Sequence, residues 1–211
     1  MDPEQPDEIY CDNVIWKVDL EKKTWAPKST VWRPKDPNSP GLFASHFNGL
    51  RVFTAKNGKQ YGFGVDEHLG GVLAVREGDI FKPILMFFWT YAPKKIGFPI
   101  TADLSKYPDN GTYIWVDRNN DQIMQAEEIT PANLSPEGAK KYFRYFSWVD
   151  KDLNLWHSRG AVNRPLRILE DGRPEYDFSR PEPSVSVPGL GSETVDDAGN
   201  LYALSVDDTQ P

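Results

Sequence analysis

Several things are scarce in this sequence, and each scarcity removes a class of function. There is one cysteine, Cys11, so no disulfide can form within the chain. No histidine or lysine closely flanks it, so it reads as a small apolar side chain, not as an activated thiol. No apolar run approaches the length of a membrane span, since the longest, Ile84 to Trp89, is only strand-length. The opening Met1-Asp-Pro-Glu-Gln-Pro-Asp7 lacks the basic start and apolar centre of a signal peptide. Basic residues are outnumbered, 24 against 31 acidic. The resulting net charge of −7 argues against general binding to nucleic acid or an anionic membrane. Gly-x-Ser-x-Gly, phosphate-loop and Rossmann fingerprints are all missing. The three histidines, His46, His68 and His157, do not fall at metal-ligand spacing.

What is abundant is aromatic and turn-forming. Aromatics make up 13% of the chain, with 18 prolines and 16 glycines, a mixture that favours short strands and tight turns over long helices. Ile9-Tyr10, Val14 to Leu20 and Thr24-Trp25 read as a hairpin around the polar turn Glu21-Lys22-Lys23. Leu50 to Ala55, Gln60 to Val65, Val72 to Val75 and Ile80 to Trp89 follow as four strands. Asn57-Gly58 and Glu77-Gly78-Asp79 supply turns between them. Four antiparallel strands in about 40 residues is the length of one propeller blade. Further strands are expected at Gly111 to Asp117, Phe143 to Asp150, Leu153 to Trp156 and Leu166 to Leu169, the last turning through Asp171-Gly172. Between the first two of these, Pro131 to Lys141 reads as a short helical insertion, with Ser135 as N-cap and Pro136 in the first turn. Strand content above about one third and little helix are expected.

Near the end, Val195-Asp-Asp-Ala-Gly-Asn-Leu-Tyr202 resembles the opening strand pair of β-propellers built from the NHL-type repeat. The resemblance implies an all-β chain of propeller blades, each of four antiparallel strands. A β-sandwich or irregular β domain stays open. A closed propeller needs about four to eight blades, and two full blades with parts of others can be read. The expectation is therefore one segment, residues 1–211, excised from a longer chain, with terminal strands near Tyr10 and Leu204 short of partners.

The segment Asp117 to Glu128 follows the spacing of the twelve-residue EF-hand loop. Calcium takes six to eight oxygens, so ligands recur at alternate positions around a tight turn. Asp117, Asn119 and Asp121 fall at positions 1, 3 and 5. Ile123 falls at position 7, where the backbone carbonyl binds; Gln125 falls at position 9 and Glu128 at position 12, the bidentate carboxylate. Gln122 holds position 6, which normally needs glycine because φ is positive there. The alternative reading is a solvated acidic turn. Trp115-Val-Asp-Arg-Asn-x-Asp121 with Glu127-Glu-Ile129 resembles calcium loops embedded in large extracellular bacterial proteins, propeller-containing ones included. That resemblance implies a structural Ca²⁺ in an extracellular or periplasmic setting. Asp150-Lys-Asp152-Leu-Asn154 repeats the first three ligand positions, but Ala161 stands where the clamp would be, so a β-turn is expected.

Two functions follow. One is a calcium-stabilised, non-catalytic binding or scaffold module, with a protein or carbohydrate ligand, the remainder of a parent chain or a partner subunit as partner. The other is part of a propeller enzyme acting on carbohydrates or small molecules. In that case His46 and His68 would meet at a loop mouth to form a metal or haem site. The seven tryptophans alternate with polar residues as half-buried strand residues do, and sugar stacking is the secondary reading for them.

Overall fold

Runs of β-branched and aromatic residues, cut by turns that only particular backbones can make, fold into antiparallel sheets. The computed structural model describes residues 5–11, 14–30, 51–64, 69–108, 112–132, 146–157, 161–183, 193–196 and 200–203. His46 and His68 lie outside the described residues. The chain divides into two compact units, residues 1–132 and 133–211.

In the first unit, β1 (Glu8–Cys11), β2 (Val14–Asp19) and β3 (Thr24–Thr30) form a three-stranded sheet in that order. The β2–β3 ladder shifts register between Ile15 and Trp16, so Lys28 is the extra residue of a bulge. The second sheet is a six-stranded antiparallel meander. It comprises β4 (Arg51–Thr54), β5 (Gln60–Gly64), β6 (Leu69–Glu77), β7 (Ile80–Phe88), β8 (Tyr113–Val116) and β9 (Ile129–Pro131). The four consecutive strands read from sequence are present as β4 to β7, and Gly58 takes the positive φ of 78° that the Asn57-Gly58 turn requires. They do not stop at four, because β8 and β9 continue the ladder. Pro83 sits within β7, beside a register shift near Leu73 and Ala74 where a missing donor is tolerated.

A connector joins β7 to β8. It holds the single-turn helix α1 (Ala92–Lys95), with Pro93 in its first turn, and a 3-10 turn at Leu104–Lys106. Phe98 of this connector meets the Trp115 ring edge-on at 5.0 Å. Ile15 from β2, Phe81, Met86 and Phe88 from β7, Trp115 from β8, and Met124 and Ile129 beyond it belong to one buried cluster. Pro131, read as the start of a helix, instead ends β9, since the Ala132 amide still donates to the Thr112 carbonyl. The rest of that insertion, 133–141, lies outside the described residues.

In the second unit, β10 (Phe146–Val149), β11 (Leu155–His157), β12 (Ala161–Asn163), β13 (Pro165–Ile168), β14 (Pro174–Tyr176) and β15 (Glu182–Pro183) come first. They are followed by β16 (Glu193–Val195) and β17 (Leu201–Ala203). The sheet order is β10-β11-β12-β15, with β13-β14 and β16-β17 as separate hairpins. Two of the turns are built alike. The Asp150 amide donates to the Asn154 carbonyl, while its carboxylate accepts from the Asn154 amide, the Asn154 side chain and Trp156 Nε1. The Asp196 amide donates to the Asn200 carbonyl, and its carboxylate accepts from the Asn200 amide, the Asn200 side chain and Tyr202 Oη. The heading aspartates stand 46 positions apart, 150 to 196.

Candidate metal centre

Strand β8 delivers Asp117 to the start of the loop. Its amide donates to the Ile84 carbonyl of β7, so the first residue is fixed by the sheet and its side chain is buried. The carboxylate then turns back over the loop, accepting from the Asp121 amide and from the Gln122 amide, each at 3.2 Å. Asn119 Oδ1 also accepts from the Asp121 amide at 3.1 Å. Asp121 Oδ1 accepts from the Ile123 amide at 2.8 Å, and Asp121 Oδ2 accepts from Asn119 Nδ2 and Gln125 Nε2. Asn119 Nδ2 reaches Gln125 Oε1 as well. Five of the six predicted ligand residues, Asp117, Asn119, Asp121, Ile123 and Gln125, thus lie within one web of hydrogen bonds, and Glu128 joins it through the Gln125 amide.

The backbone at position 6 behaves as the spacing requires. Gln122 has φ 54° and Asn120 has φ 64°, both in the left-handed region. The Gln122 side chain donates back to the Asn120 carbonyl and to Asn120 Oδ1. Asparagine adopts that conformation readily; glutamine does so at a cost of about 1 kcal/mol or more.

Glu128 is buried and already occupied. Its Oε2 accepts from Trp115 Nε1 and its Oε1 from the Arg118 amide, both at 2.8 Å, and the Gln125 amide adds a longer contact. It closes a capping box with Gln125 on the 3-10 turn Ala126–Glu128. A carboxylate has about four lone-pair sites, two on each oxygen, so of the two only Oε1 retains one beyond these bonds. Among the described residues, no group of three or more His, Cys, Asp or Glu side chains is placed to hold a metal. What the loop gathers is two carboxylates, Asp117 and Asp121, with the side-chain amides of Asn119 and Gln125. Hard oxygen donors of this kind suit calcium in their chemistry.

The sequence reading missed the loop's outward attachment. Met124, between positions 7 and 9, forms a parallel β-bridge with Ile100. Its carbonyl accepts from the Thr101 and Ala102 amides, and its amide donates to the Pro99 carbonyl. Ligand spacing carries no signal for a bridge to a segment more than twenty residues upstream. The Trp115 bond to Glu128 was equally hidden, because Trp115 reads as an ordinary strand residue.

Elsewhere, Asp150 is engaged by the turn donors described above, as the β-turn reading expects. His157 is fully buried in β11, its Nε2 in contact with Asn163 Oδ1 at 2.8 Å. Burial holds its pKa down at about 4, against the opposing pull of the Asn163 bond. Glu8 is a further buried carboxylate among the described residues. It accepts from Tyr10 Oη, Lys28 Nζ and Arg76, and Arg76 also reaches Gln60 and the Gly78 carbonyl. Burial pushes the Glu8 pKa up, but the bonds from Arg76, Lys28 and Tyr10 outweigh it and bring the pKa to about 2.

No family model matches the chain, and no curated protein or solved structure matches it.

Proposed function

We propose that this chain is a calcium-stabilised, non-catalytic binding or scaffold module built from propeller-like blades. The observation that carries the calcium part is the backbone of the loop 117–128. It turns left-handed at Gln122, position 6, although glutamine disfavours that conformation, and it gathers Asp117, Asn119, Asp121 and Gln125. Asp117, Asn119, Asp121 and Glu128 would supply side-chain oxygens, Ile123 its carbonyl, and Gln125 a direct or water-bridged contact. The ion would supply charge neutralisation and rigidity, not reaction chemistry, which suits a compartment rich in calcium, extracellular or periplasmic.

The blade reading draws support from the meandering antiparallel order and from the matched turns at Asp150 and Asp196. The two turns stand 46 residues apart, with six short strands, β11 to β16, described between them. A non-catalytic role also accords with His157, which is buried and in contact with Asn163.

Thermal melts with calcium and with chelator test the proposal. Ligand that binds only the native loop raises the midpoint by mass action. Wild type should melt higher in calcium, and Asp121→Asn should lose that difference between calcium and chelator, whatever its own midpoint in chelator. Equal midpoints for wild type in both conditions at millimolar calcium would leave the solvated-turn reading.

A further inference from the structure

We infer, resting on the calcium reading above, that calcium in the loop 117–128 sets the order of the connector at residues 99–102 through the peptide joining Ile123 to Met124. A peptide unit is planar and trans, so its C=O and N–H point in opposite directions. The Met124 N–H, at loop position 8, donates to the Pro99 carbonyl at 2.9 Å. The Ile123 carbonyl of the same unit, the position 7 ligand, is therefore turned away from the connector. One peptide thus serves both sides, the ion through its oxygen and the connector through its nitrogen. The next carbonyl, that of Met124, accepts from the Thr101 and Ala102 amides at 3.0 and 3.2 Å, and Ile100 and Met124 form the parallel bridge. Among the described residues, Pro99, Thr101 and Ala102 direct their backbone hydrogen bonds to Met124 alone.

Apolar anchors flank this stretch. Ile96 and Phe98 before it and Leu104 after it are buried in the core of the first unit. They hold the connector down with or without the ion, so calcium acts on the local order of 99–102 and not on a lid. Two effects point the same way. A cation on a carbonyl oxygen draws charge from the peptide and makes its N–H a stronger donor, as in any polarised chain of hydrogen bonds. A ligand that fixes the loop backbone also removes part of the ordering cost of docking the connector on it. A second route starts from position 12. Glu128 accepts from Trp115 Nε1, and the Trp115 ring meets Phe98 of the connector at 5.0 Å. Linkage is reciprocal, so an undocked stretch weakens calcium binding by the same factor by which calcium favours docking.

Calorimetric titration with calcium chloride and amide exchange by NMR, both on the full chain, test the coupling. In chelator the Thr101 and Ala102 amides should exchange faster than those of β5 and β6, by local opening. Saturating calcium should slow them by about fivefold or more. The Leu169 and Gly172 amides, in a hairpin of the second unit, should not change. Thr101→Pro removes one of the two amide donors to the Met124 carbonyl and should weaken calcium binding by about fivefold. The exchange result stands whether or not that variant folds. Three results, each with calcium heat present, would overturn the coupling and leave the calcium reading in place: exchange at Thr101 and Ala102 as fast in calcium as in chelator, exchange there no faster than in β5 and β6 in chelator, or a folded Thr101→Pro protein that binds calcium as wild type does. No calcium heat from wild type at millimolar calcium would overturn both.

Discussion

Gln122 and Glu128 show how one loop position can serve backbone or ligand, and substitutions separate the two. Gln122 lies in the left-handed region, and replacing it with glycine removes a cost of about 1 kcal/mol. If calcium requires that turn, Gln122→Gly should tighten calcium binding by about fivefold in a calorimetric titration. An unchanged or weaker affinity would show that strain at position 6 is not what limits the site. Glu128→Gln is different, because Glu128 already accepts from Trp115 Nε1 and the Arg118 amide. An amide offers one acceptor where the carboxylate offers two, so one of these donors faces an NH₂ group. The melting midpoint should fall even in chelator, by the equivalent of about 1–2 kcal/mol. A Glu128→Gln protein that melts normally in chelator would make Glu128 a ligand alone.

At the scale of elements, Glu8 ties β1–β3 to the six-stranded sheet by charge, beside the apolar packing of Ile15. Lys28 reaches it because the β2–β3 bulge inserts that residue, and Arg76 reaches it from β6. Glu8→Gln would leave two cations facing a neutral group in a buried setting, a loss of about 2 kcal/mol in urea unfolding. Glu8→Gln and Arg76→Met together should cost less than the sum of the single changes, which a double-mutant cycle measures. Additive losses would show that the pair is not coupled. Little of this cluster was legible in the sequence, since bringing Glu8 to Arg76 depends on how two sheets pack, and no local pattern records that. The hairpins were legible, because Asn57-Gly58, Gly78-Asp79 and Asp171-Gly172 carry their turn geometry in their own residues. The join of β8 onto β7 was not, since a connector of more than twenty residues separates strands that periodicity treats as unrelated. For the loop 117–128 the alternate spacing of oxygen-bearing residues is legible in the sequence, yet the bridge from Met124 to Ile100 and the bond from Trp115 needed the fold.

For the molecule as a whole, acid should act on the two units in sequence, through two groups shifted for opposite reasons. His157, in the second unit, has a folded pKa of about 4 because its burial disfavours the imidazolium. The unfolded chain therefore binds the proton first as pH falls below about 6.5. Its contribution to stability is complete above that pH and is lost progressively down to about 4. The loss is about 2 kcal/mol at pH 5 and on the order of 3 kcal/mol at the limit. Glu8, in the first unit, has a folded pKa of about 2 against 4.5 for an ordinary glutamate carboxyl. Its contribution is complete above about 4.5 and disappears as pH falls towards 2. Between pH 6.5 and 5 the acid sensitivity of these two groups belongs almost entirely to His157. Amide exchange in β11 and β12 should accelerate across that window while exchange in β5 to β7 holds steady. His157→Gln should flatten the dependence in β11 and β12, even if it lowers stability at pH 7.5, because it removes the group that titrates. Acceleration of equal size in His157→Gln would assign the window to some other group and remove the histidine from the account.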